Sequence, residues 1–133
     1  MIEWDEEYSV GISIIDEDHK KFINIINSTI VAKQHDNNPK RIENILNEMI
    51  DYGWNHFRTE ELYMIEFNYP EYQRHREEHL GFVLNTLSYF NRVASDDYQI
   101  AKEILEYLKQ WLVNHIHGTD QKYRECFIKN GLK

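Results

Sequence analysis

The chain has 133 residues, and 23 acidic against 15 basic side chains leave a formal net charge of −8. That is length for one hydrophobic core, with the wrong sign for nucleic acid or an anionic membrane surface as the main partner. A single cysteine, Cys126, rules out a disulfide framework and suits a cytoplasmic setting, and no apolar run reaches the roughly 18 residues of a membrane span.

Few glycines and prolines among many Ile, Leu, Glu and Lys favour helices. The expectation is one all-α domain over residues 1–133. Residues 1–15 alternate apolar and polar at Val10, Ile12 and Ile14 but have no strand to pair with. They read as an extended arm anchored by Trp4 and Tyr8. Asp16 is a candidate N-cap for a first helix over roughly 17–37, with Phe22, Ile23, Ile26 and Ile30 on its apolar stripe and His19 one turn earlier. Asn38-Pro39 reads as cap and first position of a second helix, roughly 40–66. Ile42, Ile45, Leu46, Met49 and Ile50 form its stripe, which continues past Gly53 into His56, Phe57 and Glu60. Gly53 in a helix interior costs about 1 kcal/mol against alanine, which points to a packing reason such as a closely approaching neighbour.

A third helix, roughly 70–91 and started by Pro70, carries Tyr72, His75, His79, Phe82, Val83, Thr86, Leu87 and Phe90 on one face. After a polar connection from Asn91 to Asp97 comes a fourth, roughly 97–117, with Ala101, Ile104, Leu105, Leu108, Trp111 and Leu112 leading to His115 and Ile116. Gly118 interrupts it before a short helical segment, roughly 119–129, with Tyr123 and Phe127 facing in. Short connections between amphipathic helices make an up-down-up-down antiparallel four-helix bundle.

His56/Glu60 and His75/His79 are each four residues apart, one turn plus roughly 40°, so each pair shares a helix face. One histidine on an apolar face is usually a satisfied core residue. Histidines on all four core stripes, with an acid, are another matter, because each buried polar group without a partner costs several kcal/mol. A metal ion removes that cost, since imidazole and carboxylate are its ordinary ligands. His35, in a polar run, and His117, on the far side of its helix, read as solvated, and Cys126 as an inert thiol. Five residues separate His115 from Asp120, about 140° on a regular helix. Spacing alone prefers His117/Asp120, and a π-type bulge near Gly118 would favour His115/Asp120 instead.

The segments I-D-E-D-H, H-F-R-T-E-E, Y-P-E-Y-Q-R-H-R-E-E-H and W-L-V-N-H-I-H-G-T-D-Q-K-Y together resemble the hemerythrin family, in particular its single-domain bacterial form. The resemblance covers nearly the whole chain, including Trp4, Tyr8 and Gly11 of the arm. It implies two iron ions per chain joined by an oxo or hydroxo group. His75, His79 and His115 would bind one iron, His19 and His56 the other, and Glu60 and Asp120 would bridge them. The second iron is then one ligand short, and an open position is where a small ligand binds. In the family that ligand is dioxygen.

Reversible dioxygen binding for transport, storage or delivery is therefore the function implied, in a protein that is not an enzyme. Phe22, Phe57, Trp111, Leu112 and Ile116 would line an apolar oxygen pocket without a proton donor, and Glu61 would lie at the surface or just behind the ligands. Five imidazoles with two acids suit a carrier better than the Glu-rich centres of ferritin-like bundles. Delivery would be to an oxygen-using enzyme; oxygen or iron sensing through a signalling partner, and reduction of peroxide or nitric oxide at the same irons, are the other roles the pattern allows. A zinc hydrolase is not, because H-F-R-T-E is not the H-E-x-x-H arrangement. A charged, short-looped bundle is expected to be a monomer.

Overall fold

Four helical rods build the protein, in a computed structural model that describes residues 1–34, 38–95, 97 and 99–133. The first is α1, Ser13–Gln34. The second is α2, Pro39–Tyr52, running through a π turn at Gly53–Phe57 into α3, Arg58–Glu66. The third is α4, Tyr72–Ala94. The fourth is α5, Ala101–Trp111, running into a second π turn at Leu112–Ile116. A 3-10 turn at Thr119–Tyr123 and α6, Arg124–Lys129, close the chain. α1 packs on α2 and α5, and α4 on α2 and α3, giving the expected all-α four-helix bundle. Among the described residues there is no strand, and no helix is long and apolar enough to cross a membrane.

The N-terminal arm is held by specific bonds. Ile2 exchanges two hydrogen bonds of 2.9 Å with the Asn27 side chain on α1. Trp4 and Tyr8 meet edge to face at 5.9 Å, with the Lys20 ammonium 5.3 Å over the Trp4 ring. Asp16 does not cap α1 from outside, contrary to expectation. The helix begins three residues earlier, and the Asp16 carboxylate instead accepts bonds from the Val10 N–H and the Ser9 hydroxyl. The arm reaches that position through Gly11, whose φ of +74° is left-handed and open to glycine. The expected alternation ends early, since Val10 and Ile12 are buried while Ile14, already helical, is exposed.

Other boundaries also move. Pro70 lies in a turn after Asn68, and α4 starts at Tyr72 rather than Pro70. α4 runs past Asn91 to Ala94 and α5 starts at Ala101 rather than 97, so the connection lies further along the chain than expected. Tyr89 and Val93 take the buried positions on α4, and Leu87 is exposed. His35 and the expected end of the first helix near residue 37 lie outside the described residues, as does part of the 91–97 connection. Asn38 caps α2 as expected, accepting from the Lys40 and Arg41 amides.

Two apolar clusters divide the interior. The larger fills the bundle around Phe22, Leu46, Met49, Phe82 and Leu108. The smaller joins the arm to the C-terminal segment through Val10, Ile12, Ile15, Met64, Tyr123 and Phe127. At roughly 1.5–3 kcal/mol per large side chain, both are substantial. The first three rods pass from one cluster to the other, the fourth does so through the segment after Gly118, and the polar residues singled out above lie at the crossing. His19 falls between Ile15 and Phe22, and Glu60 between Phe57 and Met64.

The glycines separate the required from the incidental. A Cβ at Gly53 would meet Phe57 and Val83 at 3.5–3.7 Å, ordinary contact, so no close approach demands glycine there. At Gly118 a Cβ would overlap the Asn114 carbonyl oxygen. Gly118→Ala is therefore expected to destabilise by about 1–3 kcal/mol, the usual cost of overpacking. Gly81→Ala, where a Cβ meets nothing within 4 Å, should stabilise by about 0.5–1 kcal/mol. Urea melts of the two variants check this, and coincident midpoints would mean that the Asn114 carbonyl yields.

Candidate metal centre

Nine polar side chains are buried among the described residues. Thr29 and Thr86 return their hydroxyls to carbonyls of their own helices, at 2.8 and 2.9 Å. The other seven are His19, His56, Glu60, His75, His79, His115 and Asp120, each at most 2% exposed. These are the seven that the sequence placed on inward stripes or at the break after Gly118, and they come together in one place.

Their Nε2 atoms and carboxylate oxygens face a common space. His75 and His115 lie 2.8 and 3.1 Å from Asp120 Oδ1, and His19 lies 3.1 Å from Oδ2 of the same carboxylate. His56 and His79 lie 3.1 and 3.3 Å from Glu60 Oε1. The ligand atoms form two groups, each within 4.8 Å: Glu60, His75, His79, His115 and Asp120 in one, His19, His56, Glu60 and Asp120 in the other. Both carboxylates belong to both groups.

Backbone irregularity makes this possible. In the second π turn the His117 amide bonds back to the Leu112 carbonyl at 2.9 Å, five residues away. The extra residue rotates the chain beyond it. The helix then breaks at Gly118, with φ −111° and ψ −82°, and the 3-10 turn delivers Asp120 to His115. Of the alternatives the spacing left open, the structure has His115/Asp120, while His117 is exposed with its ring 5.6 Å from Tyr8. The first π turn holds His56 and was not anticipated, because the four-residue His56/Glu60 interval already suited a regular helix.

Without a cation the seven groups are poorly matched. His19 Nε2, His56 Nε2, His75 Nε2, Glu60 Oε1 and both Asp120 oxygens are buried without a hydrogen-bond partner. His79 Nε2 and His115 Nε2 face each other at 3.2 Å. Native interiors rarely strand so many polar atoms together, and a donor set of imidazole and carboxylate is what a metal ion satisfies.

Electrostatics agrees. Burial pulls His56 down, but Glu60 and the Asp18 hydrogen bond outweigh it and lift the imidazole to about 10. Burial likewise opposes His115, which Asp120 and Glu78 raise to about 9. Burial pushes the Asp120 carboxyl up, yet the His115 charge and the close approach of the His115, His19 and His75 rings hold it well below the usual range. Glu60 is also lowered: burial and Asp120 raise it, and His56 and His79 win.

Behind the ring nitrogens stand acids that periodicity missed. Asp18 takes His56 Nδ1 at 3.0 Å and Glu78 takes His115 Nδ1 at 3.0 Å. Glu61, expected at the surface or just behind the ligands, takes His79 Nδ1 at 2.8 Å. Such partners fix the ring orientation and tautomer of a ligating histidine. A signal existed, since Asp18, Glu61 and Glu78 directly adjoin His19, Glu60 and His79 in sequence. That puts each at the edge of an inward stripe, facing a neighbouring helix. Tyr123 donates to Glu60 Oε2 in a short bond and stacks on His75 at 5.6 Å.

Phe22, Phe57, Trp111, Leu112 and Ile116 are all buried in the larger apolar cluster. Phe57 stacks on His79 at 3.9 Å and Trp111 on His115 at 4.0 Å. Among these rings the Trp111 N–H and the Tyr52 hydroxyl are buried donors without a hydrogen-bond partner.

Residues 10–126 match the hemerythrin HHE cation-binding domain. A bacteriohemerythrin of Stenotrophomonas maltophilia is 31% identical over 125 residues, covering 94% of this chain and 80% of the relative. A hemerythrin-like protein of Naegleria gruberi is 31% identical over 121 residues, covering 91% and 89%. A bacteriohemerythrin of Clostridium acetobutylicum is 27% identical over 127 residues, covering 92% and 98%.

Two raised histidines give the centre a proton balance. At neutral pH, His56 and His115 are protonated in the metal-free protein, and a metal ion must displace those protons. Binding of a divalent cation at pH 7 should release on the order of two protons per chain from them. Because the folded values are raised, the release should fade as pH climbs through about 9 to 10, and affinity should fall towards acid. Calorimetry in buffers of different ionisation enthalpy measures this, and release of no protons at pH 7 would contradict the assignment.

Proposed function

Because this chain belongs to the hemerythrin family, we propose that the two ligand groups hold two iron ions and that the protein binds dioxygen reversibly, for transport, storage or delivery. One observation carries the reading: each carboxylate spans the two groups. Asp120 presents Oδ1 to His75 and His115 but Oδ2 to His19, and Glu60 Oε1 lies beside both His56 and His79. A shared pair of carboxylates between three imidazoles and two is the donor set for two metals with unequal vacancies. The group with fewer imidazoles is the one left open to a small ligand. Bound iron, bridged further by an oxo or hydroxo group, would supply the electrons that hold dioxygen and take them back on release.

The chain's own residues do the rest. Glu60 and Asp120 offset the positive charge of the metals inside a low-dielectric interior, where uncompensated charge is costly. Asp18, Glu61 and Glu78 hold the Nδ1 protons, so the Nε2 lone pairs of His56, His79 and His115 turn inward. Tyr123 anchors one Glu60 oxygen and leaves the other free. Phe22, Phe57, Trp111, Leu112 and Ile116 keep water from the open side, which favours release of intact dioxygen over oxidation of the metals. The single free Cys126 fits a reducing, cytoplasmic setting, and the carrier reading is that of a monomer without an enzymatic turnover.

Anaerobic loading with ferrous iron should take up about two metals per chain, as the two ligand groups require. Cycles of oxygen addition and removal should then give a reversible colour change. A single metal per chain, or prompt irreversible conversion to the ferric form, would reject the carrier reading. Leu112→Asn and Ile116→Asn should each admit water and shorten the life of the oxygenated form, followed by absorbance decay. Unchanged decay in both would remove those residues from the pocket.

A further inference from the structure

Tyr52, the last residue of α2, is 7% exposed, and its hydroxyl has no hydrogen-bond partner among the described residues. It stands among aromatic rings, 5.2 Å from Phe22, 5.7 Å from Phe57 and 6.2 Å from Phe82. Its ring also stacks on the His56 imidazole, with centroids 4.9 Å apart and planes inclined by 26°. A phenylalanine would fill that space without stranding a buried polar atom. The hydroxyl is an expense that packing does not explain.

Its position suggests what it is for. His56 belongs to the ligand group with fewer imidazoles, and Phe22 and Phe57 belong to the proposed pocket wall. Tyr52 therefore joins the open side of the centre to the pocket. The other buried donors are committed or misplaced. The Tyr123 hydroxyl is taken by Glu60, and the Trp111 indole lies over His115 in the three-imidazole group.

We propose that the Tyr52 hydroxyl donates a hydrogen bond to the small ligand held on the His19/His56 side of the centre. The pocket thereby selects ligands whose outer atom is a negatively polarised acceptor. Tyr52 binds and positions, and its proton stays on the phenol oxygen. The inference rests on the two-metal reading above and adds a selectivity to it.

Azide, a small anion with an accepting outer nitrogen, is the probe. The ferric iron-loaded protein and its Tyr52→Phe variant are titrated with azide by absorption, with iron content measured in both. A hydrogen bond to a charged acceptor corresponds to roughly ten- to hundredfold in affinity, and the variant should lose that much. The azide stretching band of the wild-type protein should shift between H2O and D2O, and that of the variant should not. Metal-free Tyr52→Phe should melt at the same temperature as wild type or higher, since it removes an unpartnered hydroxyl. Equal azide affinity at equal iron content, or a wild-type band indifferent to D2O, overturns the role of Tyr52 and leaves the two-metal reading intact. Failure of the wild-type protein to take up iron overturns both, and failure of the variant alone overturns the role of Tyr52 as a residue that acts on the ligand rather than on the metals.

Discussion

Seven polar side chains share one buried space, and the protein atoms around them leave several of their polar atoms without a hydrogen-bond partner. Two carboxylates at the centre repel each other, and the histidines around them outweigh that repulsion only by keeping imidazolium charge buried on His56 and His115. Buried ion pairs of this kind return little net stability, because desolvation consumes most of the attraction. The fold must supply the balance elsewhere, and the apolar clusters on either side do so. The larger packs the bundle, the smaller ties the arm and the C-terminal segment across its end, and between them they hold the polar plane closed to solvent.

Regular helices would not have delivered these atoms. A 3.6-residue repeat puts His115 and Asp120 on different faces, and the structure brings them together by widening one turn and breaking the next. Gly118 is fixed by that break, since any side chain there would overlap the Asn114 carbonyl. The other π turn, at Gly53–Phe57, carries His56 to the opposite side of the same space. Each widened turn thus contributes one imidazole.

This explains which features were legible in the sequence. The four rods and their inward histidines follow from periodicity, because burial of an amphipathic face is a property of the segment itself. Asn38 as a cap was readable for the same local reason. Asp16 was not. It looked like a helix start, but its carboxylate binds the arm, and that depends on a left-handed Gly11 several residues away. The His115/Asp120 pairing was ambiguous from spacing, because a widened turn has no residue-level marker of its own. Asp18, Glu61 and Glu78 were hidden for a different reason. Each acts on a histidine of another rod, and the edges of a stripe name no partner until the rods are placed.

Those three acids also make the site uneven. His56, His79 and His115 each have a carboxylate on Nδ1, whereas the Nδ1 atoms of His19 and His75 have no partner among the described residues. A carboxylate behind an imidazole raises its strength as a donor. In the three-imidazole group two rings are reinforced, and in the other group only His56 is. The side with fewer imidazoles therefore also has less electron donation from behind, so under the proposed two-metal reading a metal held there would be the more electron-poor. An electron-poor, partly vacant position attracts an anionic or polarisable ligand. It stands beside Tyr52, the one uncommitted hydroxyl donor buried in that wall among the described residues. Coordination, outer-sphere charge and hydrogen bonding thus all favour the same half of the centre as the place where a ligand binds.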